Sequence, residues 1–206
     1  MPTAIPKPRE FVRQLPAPSA VPYLYVDDFT PREDREELLN ALADEGCESP
    51  TIRKLSRHVV TTTTLKLGRT PTDLELAQAM LDMVHDLVQY GDDTSEKEQY
   101  TRAVVSLMPV EGMAKSPVTG KPKGRGDCDD MGILFASLAR CAGLHADVIW
   151  VDQPGAPFNH VAAVACIGDA KRCYWVETTL PGAKVGETTA EAIQRLRVNG
   201  RKDFGV

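Results

Sequence analysis

Apolar residues recur at helical spacing over four stretches of this chain and take strand-like patterns over four others. The first helix opens at Thr30-Pro31-Arg32-Glu33, which reads as an N-cap, a first-turn proline and the glutamate of a capping box. Leu38, Leu39 and Leu42 form its narrow apolar stripe, and Gly46 is its expected stop. From Arg57 to Leu67 the run Val59-Val60-Thr61-Thr62-Thr63-Thr64 predicts a half-exposed strand, because valine and threonine lose side-chain freedom in a helix. The clearest pattern follows. Thr72-Asp73-Leu74-Glu75 is a second capping box, with Leu74, Ala77, Leu81, Val84 and Val88 on one stripe and Leu76, Met80, Met83 and Leu87 on another. Two stripes predict a well-buried helix, ending at Tyr90-Gly91.

Residues 113–126 are rich in glycine, proline and lysine and have no periodicity, so they read as a loop. A third helix starts behind it with Asp127 as N-cap, Met131, Leu134, Phe135, Leu138 and Ala142 as its buried positions, and Gly143 as its stop. Strands are predicted at Ala146–Val151, His160–Ile167 and Arg172–Thr178, the last two joined by the hairpin-length turn Gly168-Asp169-Ala170-Lys171. A last helix opens on the capping box Thr188-Thr189-Ala190-Glu191 and closes near Asn199-Gly200. No internal repeat is visible.

Composition adds an N-terminal peculiarity. Seven of the fifteen prolines fall within the first 31 residues, a density that no regular element survives. Residues 1–29 are therefore a free tail or an extended arm that packs on something else, with Phe11, Val12, Val21, Tyr23, Leu24 and Tyr25 as its anchors. At 206 residues the chain suits one core with additions. The expected division is the arm 1–29, a helix-and-strand appendage 30–71, and a main domain 72–206. With 24 Lys and Arg against 29 Asp and Glu the net charge is −5, so no global field would hold a nucleic-acid backbone. No apolar run reaches the length of a membrane span, and Met1-Pro2-Thr3-Ala4-Ile5-Pro6-Lys7-Pro8 has no signal-peptide core. The expected setting is a reducing cytoplasm, with no nucleic-acid or membrane partner. Five cysteines, Cys47, Cys128, Cys141, Cys166 and Cys173, are an odd number at irregular spacings, which argues against a disulfide framework.

Cys128 stands in the first turn of a helix directly behind a glycine-rich loop, where backbone N–H groups and the helix dipole favour an anion. Asp127, Asp129 and Asp130 oppose a thiolate there, so a histidine partner is required. Hairpin arithmetic supplies it. If 168–171 is the turn, Ile167 faces Arg172, Cys166 faces Cys173, Ala162 faces Glu177 and His160 faces Thr179. Side chains alternate with period two, so His160 and Glu177 become diagonal neighbours on one face unless a bulge intervenes. Glu177 could then accept an imidazole N–H and leave the other ring nitrogen to Cys128.

Gly126-Asp127-Cys128-Asp129-Asp130, the helix Gly132-Ile133-Leu134-Phe135-Ala136-Ser137-Leu138-Ala139-Arg140 and Gly143-Leu144-His145-Ala146 together resemble the signature of the transglutaminase-like cysteine hydrolases. His160-Val161-Ala162-Ala163-Val164 and Trp175-Val176-Glu177-Thr178-Thr179 resemble that family's histidine and acid strands, and Val88-Gln89-Tyr90-Gly91-Asp92-Asp93 its upstream helix end, so the likeness spans roughly residues 72–180. It implies a papain-like α+β fold, with the nucleophile helix packed on an antiparallel sheet. It also implies Cys128 as nucleophile, His160 as general base and acid, and Glu177 as third member. The family's acid is usually aspartate before a proline-threonine turn, whereas here glutamate precedes Thr178-Thr179. The chain looks most like the small stand-alone members of prokaryotes and tailed phages.

The remaining candidates read as structural. Cys47 and Cys141 are expected to be small core hydrophobes, and Cys166 with Cys173 a reduced core pair, since no second ligand pair at zinc spacing exists. His58, His85 and His145 are expected to be surface or packing residues. The three aspartates suit capping better than calcium, and the loop lysines Lys121 and Lys123 with Arg125 suit a solvated loop. The expected activity is acyl transfer on a peptide or protein amide, with no cofactor and no metal; Tyr90 is a candidate oxyanion donor. The alternative is a virion or assembly component that keeps such a fold and docks on a protein partner through residues 1–29.

Overall fold

The computed structural model describes residues 21–26, 30–91, 98–151, 160–168 and 172–198. Phe11, Val12, Asp92, Asp93, the turn residues Asp169–Lys171 and the expected stop at Asn199-Gly200 lie outside the described residues. The described chain is α+β, with helices α1 (Arg32–Glu48), α2 (Pro50–Leu67), α3 (Asp73–Leu87), α4 (Ala103–Ser106), α5 (Cys128–Cys141) and α6 (Thr189–Val198). Its strands are β1 (Tyr23–Val26), β2 (Val88–Tyr90), β3 (Glu98–Thr101), β4 (Gly124–Gly126), β5 (His145–Val151), β6 (His160–Ile167) and β7 (Arg172–Val176). β5, β6 and β7 form an antiparallel meander, β1 pairs antiparallel with β3, and β2 pairs parallel with β4.

Helix α5 is the centre. Residues 129–139 are all buried, the polar Asp129, Asp130 and Ser137 among them, so the helix is covered on every side. One side lies on the sheet, where a Cβ on Gly132 would meet Val148 at 3.3 Å and Val161 at 3.7 Å. Helices α1, α2 and α3 share the same hydrophobic cluster through Leu39, Leu42, Ile52, Val59, Met80 and Leu81. Gly46 does not stop α1. It sits inside the helix where a Cβ would lie 2.2 Å from Ser137 Oγ, so the missing side chain is what lets α1 approach α5 so closely. The capping box expected at Thr30 does not form either, because Pro31 holds the cap position without a side-chain bond.

The strand expected over Arg57–Leu67 is a helix. Ile52, Leu55, Ser56, Val59 and Val60 repeat at helical spacing, and they turn toward the core. The propensity penalty is at most about 0.7 kcal/mol per residue. Burying a valine or isoleucine is worth about 1.5–3 kcal/mol, and Ile52 and Val59 are fully or almost fully buried. Two threonines also satisfy their hydroxyls within the helix, Thr62 on the His58 carbonyl and Thr64 on the Val60 carbonyl. Pro50 at the first turn opens α2 and Gly68 at φ 66° closes it.

Helix α3 keeps its capping box at Thr72 and Glu75 but ends at Leu87, three residues before the expected stop. Val88–Tyr90 instead extend and pair with Gly124–Gly126, so the end of the glycine-rich loop is a strand. The segment Tyr23–Val26 alternates as a strand should, with Leu24 and Val26 buried and Tyr23 and Tyr25 exposed. This part of the proline-rich arm is built into the fold.

The β6–β7 register follows the expected arithmetic, from Ile167 opposite Arg172 to Ala163 opposite Val176, with no bulge. Cys166 and Cys173 therefore face each other, and they form a disulfide, contrary to the reduced pair expected. Directly opposed residues bring the two sulfurs within bonding reach. Cys173 is exposed and Cys166 half-buried, so the pair is not in the core. An odd cysteine count excludes full pairing but not one bridge. Such a bridge persists more readily in oxidising than in reducing surroundings. Among the described residues no helix is long and apolar enough to cross a membrane.

Candidate functional site

Cys128 is the first residue of α5, and Asp127 caps the helix by accepting the Asp130 N–H at 3.4 Å. The helix runs antiparallel to β5, as Arg140 near its far end donates to the Ala146 carbonyl at the start of that strand. The opposite end of β5 pairs Val151 with His160. Cys128 and His160 thus stand at the same end of the helix-on-sheet layer. Gly132, one turn along the Cys128 face of α5, lies against Val161, the neighbour of His160.

His160 and Glu177 meet directly. His160 Nε2 donates to Glu177 Oε2 at 3.0 Å, although Glu177 lies one residue past the last paired position of β7. The carboxylate accepts from three further donors: the Thr179 N–H at 3.1 Å and the Thr179 hydroxyl at 2.7 Å on Oε1, and the Thr189 hydroxyl on Oε2. Glu177 is fully buried and the His160 side chain 14% exposed. Burial would push the Glu177 carboxyl up, but the hydrogen bond and charge of His160 and the hydroxyls of Thr189 and Thr179 outweigh it and hold the group at about 2. The extra methylene of glutamate is accommodated by folding Oε1 back onto Thr179. Thr189, the first residue of α6, carries no pattern in the sequence that links it to this site.

The other candidates fall out differently. Asp130 is buried and accepts the Thr101 N–H at 2.6 Å, a structural role. Among the described residues, Asp127, Cys128 and Asp129 each place a ligand atom within 4.8 Å of the others, close enough to hold a cation. Tyr90 pairs with Gly126 across β2 and β4, two residues before Cys128. Lys123 is not a solvated loop charge, because its ammonium donates to the His85 carbonyl. Cys141 donates to the Cys47 carbonyl at 3.1 Å, and burial pushes its thiol up to about 12. Comparisons with protein-family models, curated proteins and solved structures find no match for the chain.

His85, expected to be a surface or packing residue, packs in the interior and binds the segment next to Glu177. It is buried on α3, and its Nε2 donates to the Thr178 carbonyl at 2.9 Å. Burial, the largest cause, lowers its imidazole from 6.5 to about 4 against the Thr178 bond and the charges of Asp82 and Glu177. Between those two values the unfolded chain binds a proton that the folded chain refuses. Stability is expected to fall with acidification through that window, by up to about 1.4 kcal/mol per pH unit. Denaturant midpoints measured across it should show a shallower slope in His85→Gln; the same slope in both proteins would refute the assignment.

Proposed function

We propose that this chain is a cysteine-dependent acyl-transfer enzyme, an amide or peptide hydrolase or a transglutaminase, with a papain-like, transglutaminase-like arrangement of Cys128, His160 and Glu177. The observation that carries the reading is the His160–Glu177 hydrogen bond. It fixes Nε2 as the protonated nitrogen and leaves Nδ1 for a thiol at the start of α5. In the step proposed, Cys128 Sγ attacks the carbonyl carbon of a carboxamide as His160 takes the thiol proton. The C–N bond then breaks, and the same proton goes to the departing amine. Water or a second amine next opens the thioester and regenerates the thiol. The Cys128 backbone N–H at the helix start would help hold the oxyanion.

Iodoacetamide mapping tests this among the three free thiols, Cys47, Cys128 and Cys141. Cys128 is expected to react fastest and His160→Ala to slow it. Equal rates at Cys128 and Cys47, or no effect of the His160 change, would sink the reading.

A further inference from the structure

The β6–β7 ladder ends at Ala163 and Val176, so the sheet does not hold the backbone that carries Glu177. What holds the next peptide is a side chain from a different layer, His85 on α3, bonded to the Thr178 carbonyl in a fully buried position. The acceptor is a carbonyl, so Nε2 must carry the proton. The same residue receives the Lys123 ammonium on its own carbonyl, and Lys123 directly precedes β4, the strand that delivers Cys128. Gln78, on the same side of α3, continues the attachment by accepting the Val185 N–H at 2.9 Å and donating to the Ala183 carbonyl at 3.3 Å. Helix α3 thus grips the segment that follows the acid and, at His85, the strand that precedes the nucleophile.

We propose that His85 is the positioning residue of the site, aiming the Glu177 carboxylate at His160 through the Thr178 carbonyl and tying that segment to the Cys128 strand through Lys123. The inference rests on the reading of Cys128, His160 and Glu177 as one constellation. His85 touches no reacting atom; it acts through Thr178. The groups facing it are the Thr178 carbonyl, Asp82, Lys123 and Glu177.

The test compares His85→Leu, which removes the donor, with His85→Gln, which keeps an N–H at similar reach. The first readout is the His160 Nε2 proton by NMR together with exchange of the Thr179 amide. Both report the Glu177 cradle whether or not the thiol is active. The leucine variant should lose the proton signal and exchange the amide at least about tenfold faster, and the glutamine variant should restore both. The second readout is Cys128 alkylation at about pH 6, where an ordinary thiol is almost wholly protonated. It should slow about tenfold or more in the leucine variant, since a misplacement of about 1 Å can cost on the order of 100-fold. Melting curves confirm that each variant folds. Should His85→Leu not fold, the contrast is read between His85→Gln, expected unchanged, and Lys123→Met, expected to slow alkylation. An unchanged His160 proton and Thr179 amide in folded His85→Leu, or unchanged alkylation in Lys123→Met where that variant must stand in, overturns the proposal. Altered NMR signals with a Cys128 that is no more reactive than Cys47 in the unsubstituted protein would instead uphold the positioning role and overturn the enzyme.

Discussion

Replacing Glu177 with alanine is expected to destabilise the fold by about 3–5 kcal/mol at neutral pH, since each buried donor left without its acceptor costs about 1–3 kcal/mol. Four donors lose their acceptor at a position closed to solvent: the His160 ring, the Thr179 N–H and hydroxyl, and the Thr189 hydroxyl. Protonating the carboxyl should also cost the fold stability. The carboxyl lies at about 2 in the fold against 4.5 as its ordinary value. That lowering corresponds to a few kcal/mol for the protonation, on the order of 3 kcal/mol. The sign follows from the lowered value: the stabilisation is complete above pH 4.5 and is lost as pH falls toward 2. The gap between the parent protein and Glu177→Ala should therefore be widest at neutral pH and close on acidification. Glu177→Gln should lie between, since its amide can accept from some of the four donors but presents two N–H groups of its own. Cys128 alkylation should fall by about 10²–10⁴, the range of positioned acid–base catalysis. Denaturant unfolding at several pH values with thiol mapping checks all of this; a variant within about 1 kcal/mol of the parent at neutral pH would show that the cradle does not bear on stability.

The parts of this site that were legible in the sequence are those set by local rules. Thr72 with Glu75, Thr188 with Glu191 and Asp127 with the Asp130 N–H are bonds across three residues, and each forms as its spacing implies. The His160–Glu177 pair was legible for a related reason: an unbulged hairpin converts sequence distance into spatial distance, and although the ladder stops at Ala163 opposite Val176, short of the expected pairs of Ala162 with Glu177 and His160 with Thr179, that register leaves Glu177 only one residue past the last rung. The misreading of α2 came from starting at Arg57. That cut Ile52 and Leu55 from the pattern and left a β-branched run judged on propensity alone, the weaker of the two signals.

What stayed illegible depends on contacts between distant segments. Gly46 resembles a helix stop until Ser137 is seen against it, 91 positions along the chain. His85 meets Thr178 across a separation of 93, and Thr189 reaches Glu177 from an independent helix. Lys123 resembles its loop neighbours in composition, and only the position of α3 distinguishes it. The Cys166–Cys173 bridge is a mixed case, because its geometry followed from the register while its oxidation state did not.

Gly124→Ala is the second substitution expected to act strongly, at about 3 kcal/mol or more, the upper end for overpacking. A Cβ there would lie 1.8 Å from the Ser106 carbonyl oxygen and 2.8 Å from its carbon. Both are backbone atoms at the end of α4, so no side chain can swing aside, and either β4 or the α4 turn must move. The consequence reaches the site through four residues of chain, because Gly124 opens the strand that ends at Gly126 and passes through Asp127 to Cys128. Its pairing with Val88 is the first rung joining that strand to the end of α3. Displacing β4 should therefore weaken the Asp127 cap and slow Cys128 alkylation as well as lower the melting temperature. Gly120→Ala is the control: it lies in the same loop at φ 67° with open space around it. Its cost should be only the left-handed backbone strain of about 1–2 kcal/mol, with Cys128 reactivity unchanged. Equal losses of stability in the two variants, or normal Cys128 reactivity in Gly124→Ala, would mean that the β2–β4 pair does not set the position of Cys128.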